Sequence, residues 1–221
     1  MKKVFIITGA NRGLGKAFVD VLINSDEYFI ISISRSRSEE QKKYSLKNFY
    51  FLEADLSQNE LDQKILILKE IISNEDICFI NNASVIDPIK RVGEFEKSEI
   101  DTMISVNIKS SILITNYLLK EFNNNKLSFV NISSGAANRA ISNWSLYCSS
   151  KAFVKMFFEV AESENKEHFF LNIDPGVMDT NMQDTIRRCD FPNVMDFKNF
   201  KEKGKLKIPN DVAIEILNKL P

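Results

Sequence analysis

Residues 4–15 read Val-Phe-Ile-Ile-Thr-Gly-Ala-Asn-Arg-Gly-Leu-Gly, and this stretch decides the fold class. The apolar, β-branched run at 4–8 predicts a strand, and the amphipathic sequence at 14–23 predicts a helix. Glycines between them allow a tight turn and a close approach to a ligand, and a helix N-terminus attracts pyrophosphate. The stretch predicts a dinucleotide-binding turn, although its Gly-x-x-x-Gly-x-Gly spacing differs from the commoner Gly-x-Gly-x-x-Gly. The cofactor contacts predicted here are Gly9, Asn11, Arg12, Gly13, Leu14 and Gly15.

Further strand-like runs and helical patterns alternate along the rest of the chain. The strands are predicted at 29–33, 49–52, 77–80, 127–132 and 169–173, and the helices at 60–72, 98–122, 144–161 and 211–220. Short apolar strands alternating with helices indicate a parallel sheet that is covered on both faces. We therefore predict an α/β fold, a Rossmann-type doubly wound parallel sheet with helices on both faces, in one domain spanning 1–221. Ligands bind at the carboxyl ends of the strands in such folds.

The amino-acid composition limits the classes of protein to which the chain can belong. The 221 residues are 44% hydrophobic, which supports one full core, and no run approaches the roughly 20 apolar residues of a membrane span. The net charge of −1 gives no reason to expect a nucleic-acid or membrane partner. Three cysteines, an odd number without metal-ligand spacing, predict neither a metal site nor a disulfide framework. With no signal-peptide pattern, the sequence predicts a cytoplasmic protein.

Tyr147 and Lys151 are the first candidate catalytic residues. They are four residues apart in a predicted helix and share one face of it, with Ser134 thirteen residues upstream at the end of a predicted strand. A cation beside a phenol favours the phenolate, so we expect Lys151 to lower the pKa of Tyr147. The spacing alone is weak, because exposed helices carry it by chance.

The end of the second predicted strand bears on which dinucleotide is bound. An acidic residue there binds a ribose 2′-hydroxyl, whereas arginine accommodates a 2′-phosphate. The sequence is Ser34-Arg35-Ser36-Arg37, without an acid, and Arg12 adds a second guanidinium. These residues predict NADPH rather than NADH. Asp55 and Leu56 follow the third strand, where Asp55 either contacts the adenine or caps a helix.

The chain resembles the short-chain dehydrogenase/reductase family over nearly its whole length. The resemblance rests on the glycine turn, Ser134, Tyr147 and Lys151 together with a further set of residues in the family's order: Asn81-Asn82-Ala83, Asn107 and Pro175-Gly176. It implies that Tyr147 donates a proton to the carbonyl oxygen, Lys151 holds the nicotinamide ribose and Ser134 binds the substrate oxygen. It also implies that Asn107 distorts its helix and supports a proton relay. The cofactor contacts implied in addition are Asn82, Ala83, Tyr147, Lys151, Pro175, Gly176 and Thr180.

The stretch from Asn131 onward is most similar to the sepiapterin reductase branch and its bacterial benzil-reducing relatives. Two departures from the family pattern stand out. Ser84 occupies a position that is usually glycine, and the chain stops at Pro221, where relatives continue through another strand that carries the pterin-anchoring Asp in sepiapterin reductases. The second departure puts recognition of a pterin in doubt.

Two predicted loops, 136–144 and 178–200, should shape the substrate pocket. Trp144, Met178 and Met182 are its predicted lining, with Phe191 and Met195 as further candidates. The alternative for each Met and Phe is ordinary packing. Three arginines are candidates for binding an anionic substrate, and the single histidine is interpreted as structural: Arg139, Arg187, Arg188 and His168.

These observations predict an NADPH-dependent carbonyl reductase with Tyr147 as proton donor, acting on an α-dicarbonyl or a sepiapterin-like substrate. One alternative is a reductase of another ketone, such as an oxoacyl thioester, a sugar or a steroid. A second alternative is a non-catalytic NADP-binding regulatory protein. The resemblance also implies a homodimer, formed through the long helices around 98–122 and 145–161.

Overall fold

Six parallel strands form one sheet in a computed structural model that describes residues 2–221. The order is β3-β2-β1-β4-β5-β6, so the direction of winding reverses between β1 and β4 and opens a crevice at the carboxyl edge. The predicted fold class is confirmed, and each predicted strand lies within one residue of its observed bounds. The strands are β1 (Lys3–Thr8), β2 (Tyr28–Ser34), β3 (Phe49–Glu53), β4 (Ile77–Asn81), β5 (Leu127–Ile132) and β6 (Phe169–Ile173).

Nine α-helices accompany this sheet within residues 2–221. One hydrophobic cluster joins one face of the sheet to the first and last helices, and a second joins the other face to the long helices of the middle of the chain. The helices are α1 (Gly13–Leu22), α2 (Leu61–Lys64), α3 (Leu68–Ile71), α4 (Lys97–Met103), α5 (Ser110–Glu121), α6 (Ser145–Glu164), α7 (Asn181–Arg188), α8 (Val194–Glu202) and α9 (Pro209–Leu217).

The helix predictions need three corrections. The predicted helix at 98–122 contains a π-helical turn, Ile104–Lys109, between α4 and α5. A 3₁₀ turn, Ile65–Ile67, likewise interrupts the helix predicted at 60–72. The segment 178–200 is not a loop, because it contains α7 and α8. Helices this short offer too few turns for a reliable periodic signal.

A row of hydrogen-bonded asparagines crosses the sheet beneath the carboxyl edge, with Asn81 and Asn131 buried and Asn172 half-buried. The Ser111 hydroxyl donates to Asn81 Oδ1 (2.9 Å), and Asn81 Nδ2 donates to Asn131 Oδ1 (3.0 Å). Asn131 Nδ2 then donates to Asn172 Oδ1 (2.8 Å), whose amide reaches the Lys155 carbonyl. The three asparagines are register partners on β4, β5 and β6. The row therefore connects α5 to α6 through three strands.

Among residues 2–221, no helix combines the length and the apolar character that crossing a bilayer requires.

Candidate active site

The glycine turn between β1 and α1 has the geometry that a bound phosphate needs. Gly9 and Gly13 adopt φ values of +65° and +55°, which favour glycine. A Cβ on Gly15 would lie 2.2 Å from the Gly9 carbonyl oxygen, so only glycine fits there. No side chain of the described residues caps α1 at Arg12, which leaves the N–H groups of its first turn for a ligand.

Thr8 fixes this turn to the segment that follows β4. Its Oγ1 accepts hydrogen bonds from the backbone N–H groups of Asn82 and Ala83, both at 3.0 Å. Asn82 Nδ2 returns a bond to the Thr8 carbonyl at 2.9 Å. The sequence analysis did not assign a role to Thr8, although a polar residue that ends an apolar strand beside a glycine turn was the available signal. Asn82 and Ala83 line the same cavity as the turn.

Arg35 and Arg37, which follow β2, have different surroundings. Arg35 lines the cavity, whereas the Arg37 guanidinium lies over the Phe51 ring, 5.3 Å from its centroid. Arg12 and Asn11 also line the cavity, and Asn11 Nδ2 donates to the Ser36 hydroxyl. Two guanidinium groups, Arg12 and Arg35, therefore border one end of the cavity, as predicted for a phosphate site.

Asp55 lies in the turn that follows β3. Its Oδ1 accepts from the Ser57 backbone N–H (3.0 Å) and hydroxyl (2.8 Å), which caps the turn after β3. The hydrogen bond from the Ser57 backbone, and more weakly the charge of Arg35, lower the pKa of Asp55. Asp55 and Leu56 nevertheless line the cavity. Asp55 therefore caps a turn and not a helix, since the N-cap residue of α2 is Glu60, and contact with an adenine remains a prediction.

Ser134, Tyr147 and Lys151 come together at the carboxyl edge of β5. Tyr147 and Lys151 are buried on one face of α6, with exposures of 6% and 7%. Lys151 Nζ lies 5.8 Å from the Tyr147 ring centroid and donates to the Ile132 carbonyl at 2.8 Å. The Ser134 hydroxyl accepts from the Ala136 N–H at 3.2 Å, and Ser134 lines the same cavity as Tyr147 and Lys151. A hydroxyl, a phenol and an amine thus border one part of the cavity.

Burial dominates the acid–base properties of this group. It raises the pKa of Tyr147 to about 12, against the smaller lowering effect of a hydrogen bond from Ser134. Burial also lowers the pKa of Lys151 to about 8. The expectation that Lys151 lowers the pKa of Tyr147 is therefore wrong for the protein alone. Its amine lies near the ring and binds the Ile132 carbonyl, so desolvation outweighs its charge.

Asn107 lies in the π-helical turn, as a helix-distorting residue should. Its Oδ1 accepts from the Val85 N–H at 2.8 Å, and its Nδ2 donates to the Val85 carbonyl at 2.9 Å. Nδ2 also lies 3.0 Å from the Ser150 hydroxyl on α6. These contacts clamp the segment after β4 to two helices, and a proton relay through Asn107 remains a prediction.

The segment after β6 closes the cavity beside the glycine turn. Gly176 has φ +77°, and its N–H donates to Asp174 Oδ1 at 2.9 Å. Thr180 is the N-cap residue of α7, and a Cβ placed on Gly13 would lie 3.5 Å from its methyl group. Pro175, Gly176 and Thr180 all line the cavity. The predicted cofactor residues of this segment thus lie against the predicted phosphate site.

The substrate end is covered by the cap segment, which we define as residues 178–207. A bridge between Met178 and Lys207 closes its base. Trp144 packs edge-on against Tyr147, with ring centroids 5.7 Å apart, and stacks on Phe197 of α8 at 5.2 Å. Met178, Met182, Trp144 and Phe197 line the cavity. Phe197 of the cap thus packs against Trp144, which in turn packs against the candidate proton donor.

Other predicted substrate residues lie elsewhere. Phe191 packs against Trp144, with ring centroids 5.8 Å apart, and is not part of the cavity lining in residues 2–221. Met195 is 58% exposed on the outer side of the cap, so its prediction as a pocket residue is wrong. Arg139 lines the cavity, whereas Arg187 pairs with Asp184 on its own helix. Two residues of that group, Arg188 and His168, lie outside the lining of the described chain.

The cavity as a whole has a volume of about 430 Å³ and extends from Arg35 and Asp55 to Trp144 and Phe197. It passes the glycine turn and the Ser134–Tyr147–Lys151 group on the way. Because neither Gly9 nor Gly15 has room for a Cβ without displacing its neighbours, the loop backbone is shaped for close approach of a ligand. The residues present therefore fit a nicotinamide dinucleotide.

Comparisons with known proteins agree with this geometry. The family described as short chain dehydrogenase matches residues 3–190. A benzil reductase ((S)-benzoin forming) of Bacillus subtilis is 33% identical, covering 99% of this chain and 93% of that protein. The benzil reductase of Bacillus cereus is 35% identical (97% and 92% covered), and the sepiapterin reductase of Bos taurus is 26% identical (91% and 83%).

Solved structures show the same architecture. The crystal structure of the KRED1-Pglu enzyme superposes with a TM-score of 0.89 at 27% identity, covering 100% of this chain and 97% of that one. The short chain dehydrogenase/reductase YIR035C from Saccharomyces cerevisiae gives a TM-score of 0.87 at 26% identity, with 99% and 92% covered. On this agreement of sequence, fold and site, the chain belongs to the short-chain dehydrogenase family of oxidoreductases, which act with nicotinamide cofactors.

Proposed function

We propose that the chain is an NADPH-dependent carbonyl reductase that uses Tyr147 as its proton donor. The observation that carries this proposal is the position of Ser134 and of the buried Tyr147 and Lys151 in one cavity with the glycine turn. In a buried site at neutral pH the phenol holds its proton, because burial raises its pKa to about 12. Tyr147 therefore enters the reaction in the form that donates a proton to a carbonyl oxygen.

The roles of the chain's residues follow from their positions. Ser134, which lines the same cavity as Tyr147, donates from its hydroxyl to the same substrate oxygen and orients the carbonyl. Lys151, which is held by the Ile132 carbonyl, binds the cofactor ribose. When bound, the nicotinamide supplies the hydride and, once oxidised, a positive charge that favours the phenolate. The proton moves from Tyr147 Oη to the substrate oxygen.

NADPH is proposed over NADH because Arg35 and Arg12 border the far end of the cavity, where no acidic residue follows β2. Arg37 is the matched control, since its guanidinium packs over Phe51. Arg35→Ala should lower the preference for NADPH about tenfold, as expected for loss of a charged hydrogen bond. Arg37→Ala should leave it within twofold.

The substrate class is proposed as an α-dicarbonyl, or a sepiapterin-like ketone, with an aromatic or apolar side. Relatives of this chain include benzil and sepiapterin reductases, and the cavity lining contains a set of apolar residues besides its polar ones: Ile86, Trp144, Met178, Met182, Ile186 and Phe197. An aromatic ring beside the reacting carbonyl would pack against Trp144 and Phe197.

The test is NADPH oxidation, with NADH in parallel, across benzil, sepiapterin and simple diketones. Wild type should turn over with NADPH, and Tyr147→Phe should lose about 10³-fold in kcat while still binding NADPH. The substrate with the highest kcat/KM decides between the diketone and the pterin. Tight NADPH binding without turnover of any carbonyl would instead support the non-catalytic NADP-binding alternative.

A homodimer in the cytoplasm completes the proposal. Exposed apolar side chains occur on α6 and on the turn after α4, the helices expected to pair between subunits: Ile104, Phe153, Met156 and Val160. Light scattering measures the state directly, and a clean monomer or tetramer would contradict the dimer.

A further inference from the structure

Ser84 is a buried hydroxyl that the proposed reaction has not yet used. It follows Asn81-Asn82-Ala83 at the carboxyl end of β4, and its Oγ has essentially no exposed surface. Among residues 2–221 this Oγ has no hydrogen-bond partner within bonding geometry. Buried polar groups are nearly always paired, because an unpaired one loses its hydration without compensation. An unpaired hydroxyl beside a reaction site therefore indicates a partner that forms during the reaction.

The segment that carries Ser84 packs against Tyr147. Val85 and Ile86 belong to the same hydrophobic cluster as Tyr147, and Ser84 and Tyr147 border one cavity. The Ser84 hydroxyl also has a small lowering effect on the pKa of Tyr147. Ser84 borders the cavity through its other atoms, since its Oγ is buried. The hydroxyl is thus kept from solvent and available to the phenol oxygen.

The backbone on either side of Ser84 is fixed. The Ala83 N–H donates to Thr8 Oγ1 at 3.0 Å, and the Val85 N–H and carbonyl bond to the Asn107 amide at 2.8 and 2.9 Å. With both neighbours anchored, the Ser84 side chain can rotate its hydroxyl hydrogen, but its oxygen cannot move far. Such a group is already in place when charge develops next to it.

We propose that the Ser84 hydroxyl donates a hydrogen bond to the Tyr147 oxygen and stabilises the phenolate that forms when Tyr147 gives its proton to the substrate. Ser84 keeps its own proton throughout, so the only proton transferred is that of Tyr147. Ser84 is therefore a positioning residue that acts through Tyr147. This inference rests on the proposed function.

Most of the surroundings of Tyr147 disfavour its phenolate, so a further hydrogen-bond donor would stabilise that form. Burial raises the pKa of Tyr147 to about 12, and the Asp174 carboxylate after β6 and the Cys148 thiol on α6 act in the same direction. Lys151 lies on the ring side of the phenol. Ser134 lowers the pKa of Tyr147, but in the reaction its hydroxyl is shared with the substrate oxygen. Ser84 has no such second partner, so its hydrogen bond is available to the phenolate alone.

The experiment compares wild type with Ser84→Ala in the presence of cofactor. The pH dependence of kcat/KM for oxidation of the product alcohol rises as Tyr147 loses its proton, so we expect this limb to move about one unit to higher pH in Ser84→Ala. In the reductive direction kcat should fall about 3- to 10-fold, with the KM for NADPH unchanged. Tyrosine labelled at ¹³Cζ, with the Tyr147 signal assigned through Tyr147→Phe, should show the same pKa change with NADP⁺ bound.

Ser145→Ala is the matched control. Ser145 is the first residue of α6, its Oγ is also buried without a partner among residues 2–221, and it does not border the cavity. Its removal should leave the pH profile and the Tyr147 signal unchanged. If Ser84→Ala leaves both unchanged, or alters only the KM for NADPH, the inference is overturned, whereas the proposed function fails only if Tyr147→Phe retains activity or wild type has none.

Discussion

The cofactor end and the substrate end of this cavity are built by different means. At the cofactor end the backbone itself is the site: Gly15 has no room for a Cβ, and Thr8 bonds to two backbone N–H groups across the crevice. At the substrate end, packing among the rings of Trp144, Phe191 and Phe197 positions the cap segment. Backbone geometry tolerates few changes, whereas side-chain packing accommodates volume-conserving substitutions. The two ends should therefore differ sharply in their response to mutation.

Gly15→Ala should give the largest effect. The added Cβ would lie 2.2 Å from the Gly9 carbonyl oxygen, so the turn must shift and its N–H groups lose their alignment with a bound phosphate. A shift of about 1 Å corresponds to roughly a 100-fold loss, which we expect in NADPH affinity by fluorescence titration. Gly204→Ala adds the same atom in open space at φ +61°, so it strains the backbone without a clash and outside the cavity lining, and it is the control that should leave NADPH affinity unchanged. Unchanged affinity in Gly15→Ala would break the contrast between the two ends.

Thr8→Val tests the same end through stability. Removing Oγ1 leaves the Asn82 and Ala83 N–H groups without their acceptor, at a cost of about 1–3 kcal/mol each. We expect urea unfolding to show a loss of about 2–4 kcal/mol in the free energy of unfolding. Thr8→Ser keeps the hydroxyl and should restore most of it. Equal stability of the Val and Ser variants would mean that water replaces the hydroxyl.

Phe197→Ala probes the substrate end. Loss of the ring that stacks on Trp144 should loosen the cap and raise the KM for an aromatic diketone about 20-fold, while NADPH affinity stays within twofold. Met195→Ala, on the same helix but exposed, is the control and should change neither constant. A parallel loss of NADPH affinity in Phe197→Ala would show that the two ends are not separable.

The smallest expected effect is the pH dependence of stability that comes from Lys151, which lies between the two ends of the cavity. Burial lowers its pKa from 10.5 to about 8, so the folded protein binds fewer protons than the unfolded chain between these values. Stability should therefore rise with pH across this window, by about 1 kcal/mol from pH 7 to 9. Tyr147, whose pKa is raised to about 12, does not titrate there. Lys151→Met should remove this part of the slope in unfolding experiments without cofactor.

The same contrast explains what the sequence could predict. The strands, the glycine turn and the grouping of Ser134, Tyr147 and Lys151 follow from local patterns and from the rule that places sites at the carboxyl edge. Met195 was wrongly predicted to line the pocket, because the short helices of the cap decide which side chains face inward. The raised pKa of Tyr147 was also missed, because desolvation depends on three-dimensional burial that spacing does not encode.

The asparagine row has a consequence of its own. From Ser111 to the Lys155 carbonyl, each amide donates toward the side of α6 and accepts from the side of α5, so the row runs in one direction. Reversing one amide would set donor against donor or acceptor against acceptor at both of its neighbours. The row is therefore all-or-none in orientation, and a one-residue slip of any strand would break it. The row therefore favours one register of β4, β5 and β6 over the registers shifted by one residue.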